Sequence, residues 1–407
     1  MTTTEMVTAM RLSGAAAGSY RAHLDQLGPL PDVPAHRLIA MTADAGLTGR
    51  GGAAFPTGRK LASVSEHGRA VVVANGAEGE PASSKDRALL GQAPHLVLDG
   101  LALAARAVGA TSAYLYAPAD LLDGKVRTAL KERRDAVRVR TVASADTFIS
   151  GQESAVVSAI NGYEALPASQ PPPVYQRGVG GRPTLVQNVE TLAHLALLAR
   201  YGVDWFRQVG SHEEPGTRLV TVSGAVRSPG VYEIPGGTAL GDLVDHAGGG
   251  AEPLQALLIG GYHGGWVPWS DRMAALPHAR AALGPYDASP GAGVVIALGA
   301  SHCGLQAGAD IAAYLAGQSA RQCGPCLNGL PAVAGHLTTL AAGRADARTV
   351  HELERIVGLV EGRGACNHPD GTARLVRSTM RAFAAEVDLH LAGRCSVGPL
   401  RPRGGRR

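Results

Sequence analysis

Two cysteines three positions apart, Cys323 and Cys326, sit in the run "QSARQCGPCLNG", and a third, Cys366, follows in "GACNHPDG". Thiols at such spacing hold metals or do redox chemistry. Together with His368 they form a passable Cys₃His zinc set. Only five cysteines occur in 407 residues, which suits a reducing compartment better than a disulfide framework. Three further stretches carry polar chemistry. "GRGGAAFPTGRK" (49–60) is glycine-rich, so its backbone amides can approach a phosphate or a flavin closely, while Arg50 and Lys60 add positive charge; a tight connection is the plain alternative. "NGAEGEPASSKDR" (75–87) crowds Glu78, Glu80, Lys85, Asp86 and Arg87 into one short loop. It is either a ligand loop at a strand end or a solvated charged turn. "FISGQESAVVSAING" (148–162) puts Gly151, Gln152 and Glu153 at a helix start, facing a crevice or merely supplying an acidic first turn.

The elements that must position these loops can be read from hydrophobic pattern. From Arg69 to about Arg200, strand-like runs (70–75, 112–118, 137–143) alternate with helical ones (95–110, 119–135), which predicts βαβ units and a parallel sheet. A Pro/Gly-rich loop runs from Leu166 to Pro183. Residues 217–249 change character: two β-rich runs meet at "RSPG" and lead into a short helix, as in a small α+β domain. Its cluster of Tyr262, His263, Trp266 and Trp269 reads as a packed corner. From Leu305 onward helical patterns dominate, including an uninterrupted run at 371–393, which predicts a helical bundle.

Formal charge is +4, and only Lys60, Lys85, Lys125 and Lys131 are lysines. No basic run interleaved with aromatics appears inside the domains, so nucleic acid is not an expected partner. The tail "RPRGGRR" reads as a solvated terminus. The N-terminus "MTTTEMVTAM" lacks the pattern of a signal peptide. The longest apolar run, "AGVVIALGA", falls short of the ~20 residues needed to span a bilayer. A cytoplasmic protein without a direct membrane span is the expectation.

Taken together, the loops match a family pattern in order and spacing. The sequence resembles the NADH-binding FMN/iron–sulfur subunit of NADH:quinone oxidoreductase (complex I), as a divergent member related to the flavin subunits of NAD-linked formate dehydrogenase and hydrogenase. Gly49 to Lys60 matches G-R-G-G-x-G-F-P-T-G-x-K with Ala54 for a glycine. Asn75 to Arg87 matches N-x-D-E-x-E-P-G-x-x-K-D-R with Ala77 for the aspartate and Ala82 for the glycine. G-E-E-T appears as Gly151 to Ser154, and N-N-V-E-T as Gln187 to Thr191. The iron–sulfur motif S-C-G-x-C-x-P-C aligns its second and third ligands with Cys323 and Cys326 and the distant one with Cys366. Its first ligand aligns with Ala320.

The resemblance implies an α/β fold: a Rossmann-like flavin domain followed by a small β-grasp (soluble-ligand-binding) domain and a C-terminal helical bundle. The implied boundaries are an N-terminal extension at 1–45, an FMN/NADH-binding domain at 46–210, the β-grasp insert at 211–300, the iron–sulfur domain at 301–395 and a basic disordered tail at 396–407. Implied cofactor-binding residues are Gly49, Arg50, Gly51, Gly52, Phe55, Lys60, Asn75, Glu78, Glu80, Phe148, Gly151, Gln152, Glu153, Asn188 and Thr191, with Phe55 and Glu80 toward the dinucleotide. Cys323, Cys326 and Cys366 would hold a 4Fe-4S or 3Fe-4S cluster, with water, Cys303 or His368 at an open corner. The implied activity is hydride transfer from NADH to FMN, then single electrons through the cluster to a ferredoxin-like [2Fe-2S] subunit or another redox partner, in a peripheral part of a membrane-linked complex. Departures gather on the NADH side: Gln170 and Pro173 replace lysine and phenylalanine, Ser63 an aromatic, and Phe148 a tyrosine. A flavin carrier with another donor and a non-catalytic scaffold are the alternatives.

Overall fold

The structure, a computed structural model, describes residues 11–15, 18–169 and 172–398; Gln170, the first ten residues and the "RPRGGRR" tail lie outside them. The chain divides into two compact units, one running up to Thr221 together with Val231–Thr238, the other comprising Val222–Gly230 and the chain from Ala239.

The first unit is organised by four parallel strands, β1 (Val71–Asn75), β2 (Ser112–Ala117), β3 (Val139–Ala143) and β4 (Thr184–Asn188), in the order β3-β2-β1-β4. Val71 to Ala74 are fully buried, as the central strand of a sheet covered on both faces requires. Each buried valine contributes about 1.5–3 kcal/mol relative to exposure. Val72 and Ala74 belong to the larger core, Val71 and Val73 to the smaller one on the opposite face. The helices are α1 (Tyr20–Leu27), α2 (Ala35–Asp44), α3 (Thr57–Ser65), α4 (Lys85–Gln92), α5 (Pro94–Ala107), α6 (Glu153–Ile160) and α7 (Val189–Arg207). Where α5 crosses α7, a Cβ on Gly100 would stand 1.9 Å from the Leu192 carbonyl oxygen, so only glycine permits the approach. The helix expected over 119–135 is instead broken by a π-helical turn at Leu122–Val126, with Gly124 far from helical angles. Among the described residues no single helix is long and apolar enough to cross a membrane; α4 and α5 pass that test only as a pair bent by 96°.

Strand order has one consequence for function. The connection after β1 leads to β2 on one side, whereas the chain returns from β3 to β4 on the other, so a crevice opens at the carboxyl ends of β1 and β4. Those ends are Asn75 and Asn188, paired in register.

Strand β5 (Thr217–Gly224) carries the chain toward the second unit, and β6 (Gly230–Pro235) is its neighbour, with "RSPG" between them as expected. The second unit holds α8 (Leu240–His246) and the strands β7 (Leu254–Ile259), β8 (Gly265–Pro268) and β9 (Val294–Gly299). Strand β7 pairs antiparallel with both others. Then come α9 (Gly304–Gly317), α10 (Leu330–Ala341), α11 (Ala347–Val360), α12 (His368–Ala382) and α13 (Ala384–Leu391). The run expected as one helix over 371–393 breaks at Phe383, φ −114° and ψ 34°, where the ring packs edge-on against buried Trp266. His263 and Trp266 are indeed packed: the Trp266 N–H donates to Ser378 Oγ.

Under the carboxyl edge of the parallel sheet lies a buried polar knot. Lys85, 2 % exposed, donates to Asp86 Oδ1 and Glu190 Oε2, each at 2.8 Å. Asn188 Nδ2 donates to Asp86 Oδ2 at 2.6 Å and to the Asn75 carbonyl. Glu190 Oε1 accepts the Leu219 N–H. The charged-loop reading of Lys85 and Asp86 as solvated is therefore corrected, because each has buried partners that replace water. Burial raises the Asp86 carboxyl most, Lys85 pulls it back, Glu78 adds to the rise, and it stands at about 6. Burial also opposes Glu190 ionisation, but Lys85, His194 and Arg50 outweigh it and hold that carboxyl well below its usual range. Lys85→Met, which strands both carboxylates, is expected to cost about 3–5 kcal/mol in urea unfolding at neutral pH. That deficit should shrink as pH falls, since protonation then relieves the stranded acids.

Candidate functional site

Four segments meet at the crevice between β1 and β4. The 49–60 loop folds back on itself through a Gly49 N–H to Phe55 carbonyl bond at 2.9 Å and a Thr48–Pro56 bridge. Its first glycines lie against β4, since a Cβ on Gly51 would be 3.3 Å from Asn188 Cβ. Asn75 Nδ2 donates to the Gly151 carbonyl at 2.9 Å, tying β1 to the start of α6. A Cβ on Gly79 would fall 2.5 Å from the Thr147 carbonyl oxygen, so the 75–87 loop touches the 147–153 loop backbone to backbone. The 49–60 and 75–87 motifs thus meet on the segment 188–191, and the 148–162 motif joins them through Asn75, Gly79 and Lys60.

Charge at the crevice is set by one pair. Lys60 Nζ lies 2.8 Å from Glu153 Oε1 and donates to the Val186 carbonyl at 2.6 Å, with both side chains partly open to solvent. Phe55 is 48 % exposed, with the Arg59 guanidinium 5.7 Å from its ring centre. Two buried polar atoms near this edge, Thr57 Oγ1 at the start of α3 and Gln187 Nε2 beside Asn188, have no hydrogen-bond partner among the described residues. Buried polar groups are nearly always satisfied, so these are atoms that a polar ligand could complete. The glycine loop, one accessible ammonium and unsatisfied polar atoms at a switch-point crevice fit a phosphate-bearing flavin.

Several implied ligands do other work. Arg50 is buried: its guanidinium donates to the Pro215 and Thr217 carbonyls and its N–H to Thr191 Oγ1. Burial first, then the Arg218 charge, lowers its pKa to about 10, which leaves it a cation at neutral pH. Arg50 and Thr191 therefore brace the loop from beneath. Glu78 accepts from Ser83 Oγ and from the N–H groups of Asp86 and Arg87, capping α4. Gln152 Oε1 caps α6 through Ser154 and Ala155. Asn188 Oδ1 caps α7 through Glu190 N–H. Glu80 Oε1 accepts the Ala82 N–H, and Phe148 is half-buried. Gly52 lies in the left-handed region, φ 110°. Thr57 and Gln187 fall inside the 49–60 and 187–191 motifs but are not among the implied cofactor-binding residues.

In the second unit, Cys326 is buried, while Cys323 and Cys366 are half-buried. A π-helical turn beginning at Pro325 runs into α10, so that proline opens the helix as the spacing suggested. Backbone N–H groups converge on the sulfurs. Burial raises the Cys323 thiol, yet donation from Ala365 and Cys326 outweighs it and the pKa falls. Burial and the neighbouring thiols push Cys326 up to about 12, against donation from Arg321 N–H. Sulfurs that accept backbone N–H bonds are suited to ligate a cluster once deprotonated. His368 is committed elsewhere, because its Nε2 bonds the Leu315 carbonyl at 2.8 Å and its Nδ1 faces His263 Nε2 at 3.1 Å. Burial lowers His263 to about 3, so its neutral ring donates to His368. The Cys₃His zinc set and a His368 corner are thereby corrected, and Cys303 sits in a different cluster.

Comparison with known proteins agrees with this geometry. Residues 42–197 match the Nuo51 FMN-binding domain, 219–261 the SLBB domain, and 299–390 the NADH-ubiquinone oxidoreductase-F iron-sulfur binding region. The second NADH-quinone oxidoreductase F-subunit of Rhizobium meliloti (strain 1021) is 30 % identical over 406 residues, covering 93 % of this chain and 94 % of the relative. The chain belongs to the family of NADH-quinone oxidoreductase F-subunits. The F-subunit of Streptomyces coelicolor is also 30 % identical, over 89 % of this chain and 85 % of its own. A NAD+-reducing [NiFe]-hydrogenase in the H2-reduced state superposes with a TM-score of 0.82 at 30 % identity, over 88 % of this chain and 63 % of that one; the chain thus spans less than two thirds of the hydrogenase chain. It is an oxidoreductase subunit with an FMN-binding domain and an iron–sulfur region, related to subunits of multi-subunit redox complexes.

Within this family the glycine loop shows a local cost. Ala54, where the family pattern has glycine, sits at φ 51°, a left-handed conformation that disfavours a side chain by about 1–2 kcal/mol. Ala54→Gly is expected to raise stability by about 1 kcal/mol, read as a higher Tm.

Proposed function

We propose that this chain is the electron-input subunit of a larger cytoplasmic redox complex. It takes NADH as substrate at an FMN held in the crevice over Asn75 and Asn188, and serves an iron–sulfur centre on Cys323, Cys326 and Cys366. Its acceptor is a ferredoxin-like [2Fe-2S] partner subunit. The observation that carries the reading is the switch-point crevice, where the glycine loop, the Lys60–Glu153 pair and half-exposed Phe55 share one edge with unsatisfied polar atoms. An FMN held there by these residues would supply the conversion of hydride into single electrons, the chemistry needed between a nicotinamide and one-electron carriers.

The chain's own residues bind and orient. Gly49, Gly51, Gly52 and Gly151 leave room for close backbone approach, and Lys60 supplies charge for the flavin, held in place by Glu153 and the Val186 carbonyl. Asn75 and Asn188 hold the floor of the crevice, with Arg50 and Thr191 as its braces. Phe55 offers an aromatic face to the dinucleotide, and Glu80 lies on the adjoining loop. No side chain here needs to act as acid or base, so alignment is the protein's main contribution. One observation favours a flavin carrier with a different donor. Ser63, in place of an aromatic, bonds its own helix at Arg59, and Pro173 offers no aromatic ring, so two stacking partners for a dinucleotide are lost.

Anaerobically purified protein is expected to be yellow with stoichiometric FMN, to bleach on addition of NADH, and to lose at least about tenfold in FMN affinity in Lys60→Ala, the scale of one charge-assisted bond. Protein that is colourless and takes up no added FMN would refute the reading; bound flavin that NADH leaves yellow would select the other donor. For the cluster, Ala320→Cys should restore the fourth thiolate, raise iron toward about four per chain and make the EPR signal more resistant to air. Absence of iron both before and after that change would remove the centre from the proposal.

A further inference from the structure

A second group of cysteines lies apart from the family's cluster motif. Cys303 stands at the N-cap of α9, Glu386 and His390 lie four residues apart on one face of α13, and Cys395 follows just beyond that helix. Among the described residues this is the single set of three or more such side chains whose donor atoms all lie within 4.8 Å of one another. Cys303 Sγ is 3.5 Å from His390 Nε2, His390 Nε2 is 3.0 Å from Glu386 Oε1, and Cys303 Sγ is 4.0 Å from the same oxygen.

We propose that Cys303, Glu386, His390 and Cys395 form a closed four-ligand site for a single divalent cation of the zinc class. Zinc–ligand bonds of about 2.0–2.3 Å imply edges of roughly 3.4–3.8 Å between donors in a tetrahedral site. The three separations above bracket that range, and Cys395 Sγ lies within 4.8 Å of each of the other donors. The donor set of two thiolates, one imidazole and one carboxylate is zinc chemistry, and such short spacing suits one ion rather than a multi-iron cluster.

Orientation of the histidine supports the assignment independently. Nδ1 of His390 lies 3.2 Å from the Leu340 carbonyl; since a carbonyl can only accept, Nδ1 carries the proton and Nε2 is the atom turned toward the thiols and carboxylate. A backbone carbonyl behind a ligating imidazole is the usual support of a metal-bound histidine. Glu386 is likewise pinned by the Ser396 N–H at 2.9 Å. His390 is 1 % exposed and Glu386 9 %, so the polar pair is enclosed. Gly393, at φ 72°, ends α13 and turns the chain so that Cys395 comes back beside Glu386. None of the four is required by the flavin or by Cys323, Cys326 and Cys366. With all four positions taken by protein the role is structural, a staple between the start of α9 and the end of the last helix.

Zinc and iron are to be counted together by mass spectrometry on the full chain. Expected are one zinc per chain in the wild type, loss of that zinc in Cys395→Ser and in His390→Ala, and its retention in Cys323→Ser. Chelator treatment should lower the wild-type Tm. Because the variants could fail to fold, chelator-stripped wild type is also titrated with Co2+, which should give thiolate-to-metal charge-transfer and tetrahedral d–d bands that Zn2+ abolishes. Zinc that survives in folded Cys395→Ser, zinc lost only in Cys323→Ser, a Cys303–Cys395 disulfide, or Co2+ without thiolate bands would each overturn the proposal.

Discussion

Lys85 is the tie on which the first unit depends. Its ammonium sits between Asp86 and Glu190, at the starts of α4 and α7, the helices that follow β1 and β4. A cation and two carboxylates buried this deeply are tolerable only as a set, because each removes the desolvation cost of the others. Asn188 completes the arrangement by bonding Asp86 and the Asn75 carbonyl. The carboxyl edge of the sheet is therefore held by charge and amide contacts instead of apolar packing. A rigid polar floor is what a crevice for a charged cofactor requires.

Above that floor, labour is divided between residues that hold the protein and residues left open. Arg50, Thr191, Glu78, Gln152 and Asn188 look like ligands by type, yet their polar atoms cap helices or satisfy backbone N–H and carbonyl groups. Lys60, Glu153 and Phe55 stay partly exposed. The same division appears among the cysteines of the second unit: three are served by backbone amides at the family's spacing, while Cys303 and Cys395 gather with Glu386 and His390. His368, adjacent in sequence to the first group, is instead engaged with Leu315 and His263.

Much of this was legible in the chain. Alternating strand and helix patterns marked the parallel sheet because burial on both faces demands apolar runs of strand length, and the glycine loop, the 75–87 loop and the 148–162 segment were visible because ligand-cradling backbone needs particular residues at fixed offsets. Cys323, Cys326 and Cys366 stood out by spacing for the same reason. Such signals are local, carried by neighbours in sequence. Periodicity could not reveal the breaks at Gly124 and Phe383, since each keeps the apolar residues on helical spacing while packing or backbone geometry interrupts the hydrogen-bond ladder.

What only the tertiary structure decided was which polar groups are already spent. Arg50 reads as a phosphate ligand until its guanidinium is seen on the carbonyls of residues 215 and 217, far along the chain. Lys85 and Asp86 read as solvated until Glu190 closes over them. Cys303 and Cys395 are ordinary singly and become a four-donor set only when α9 and α13 are packed. Sequence specified the types and local spacing of the donors; hydrogen-bond satisfaction and charge burial depend on partners a hundred residues or so away, and those distances are set by packing alone.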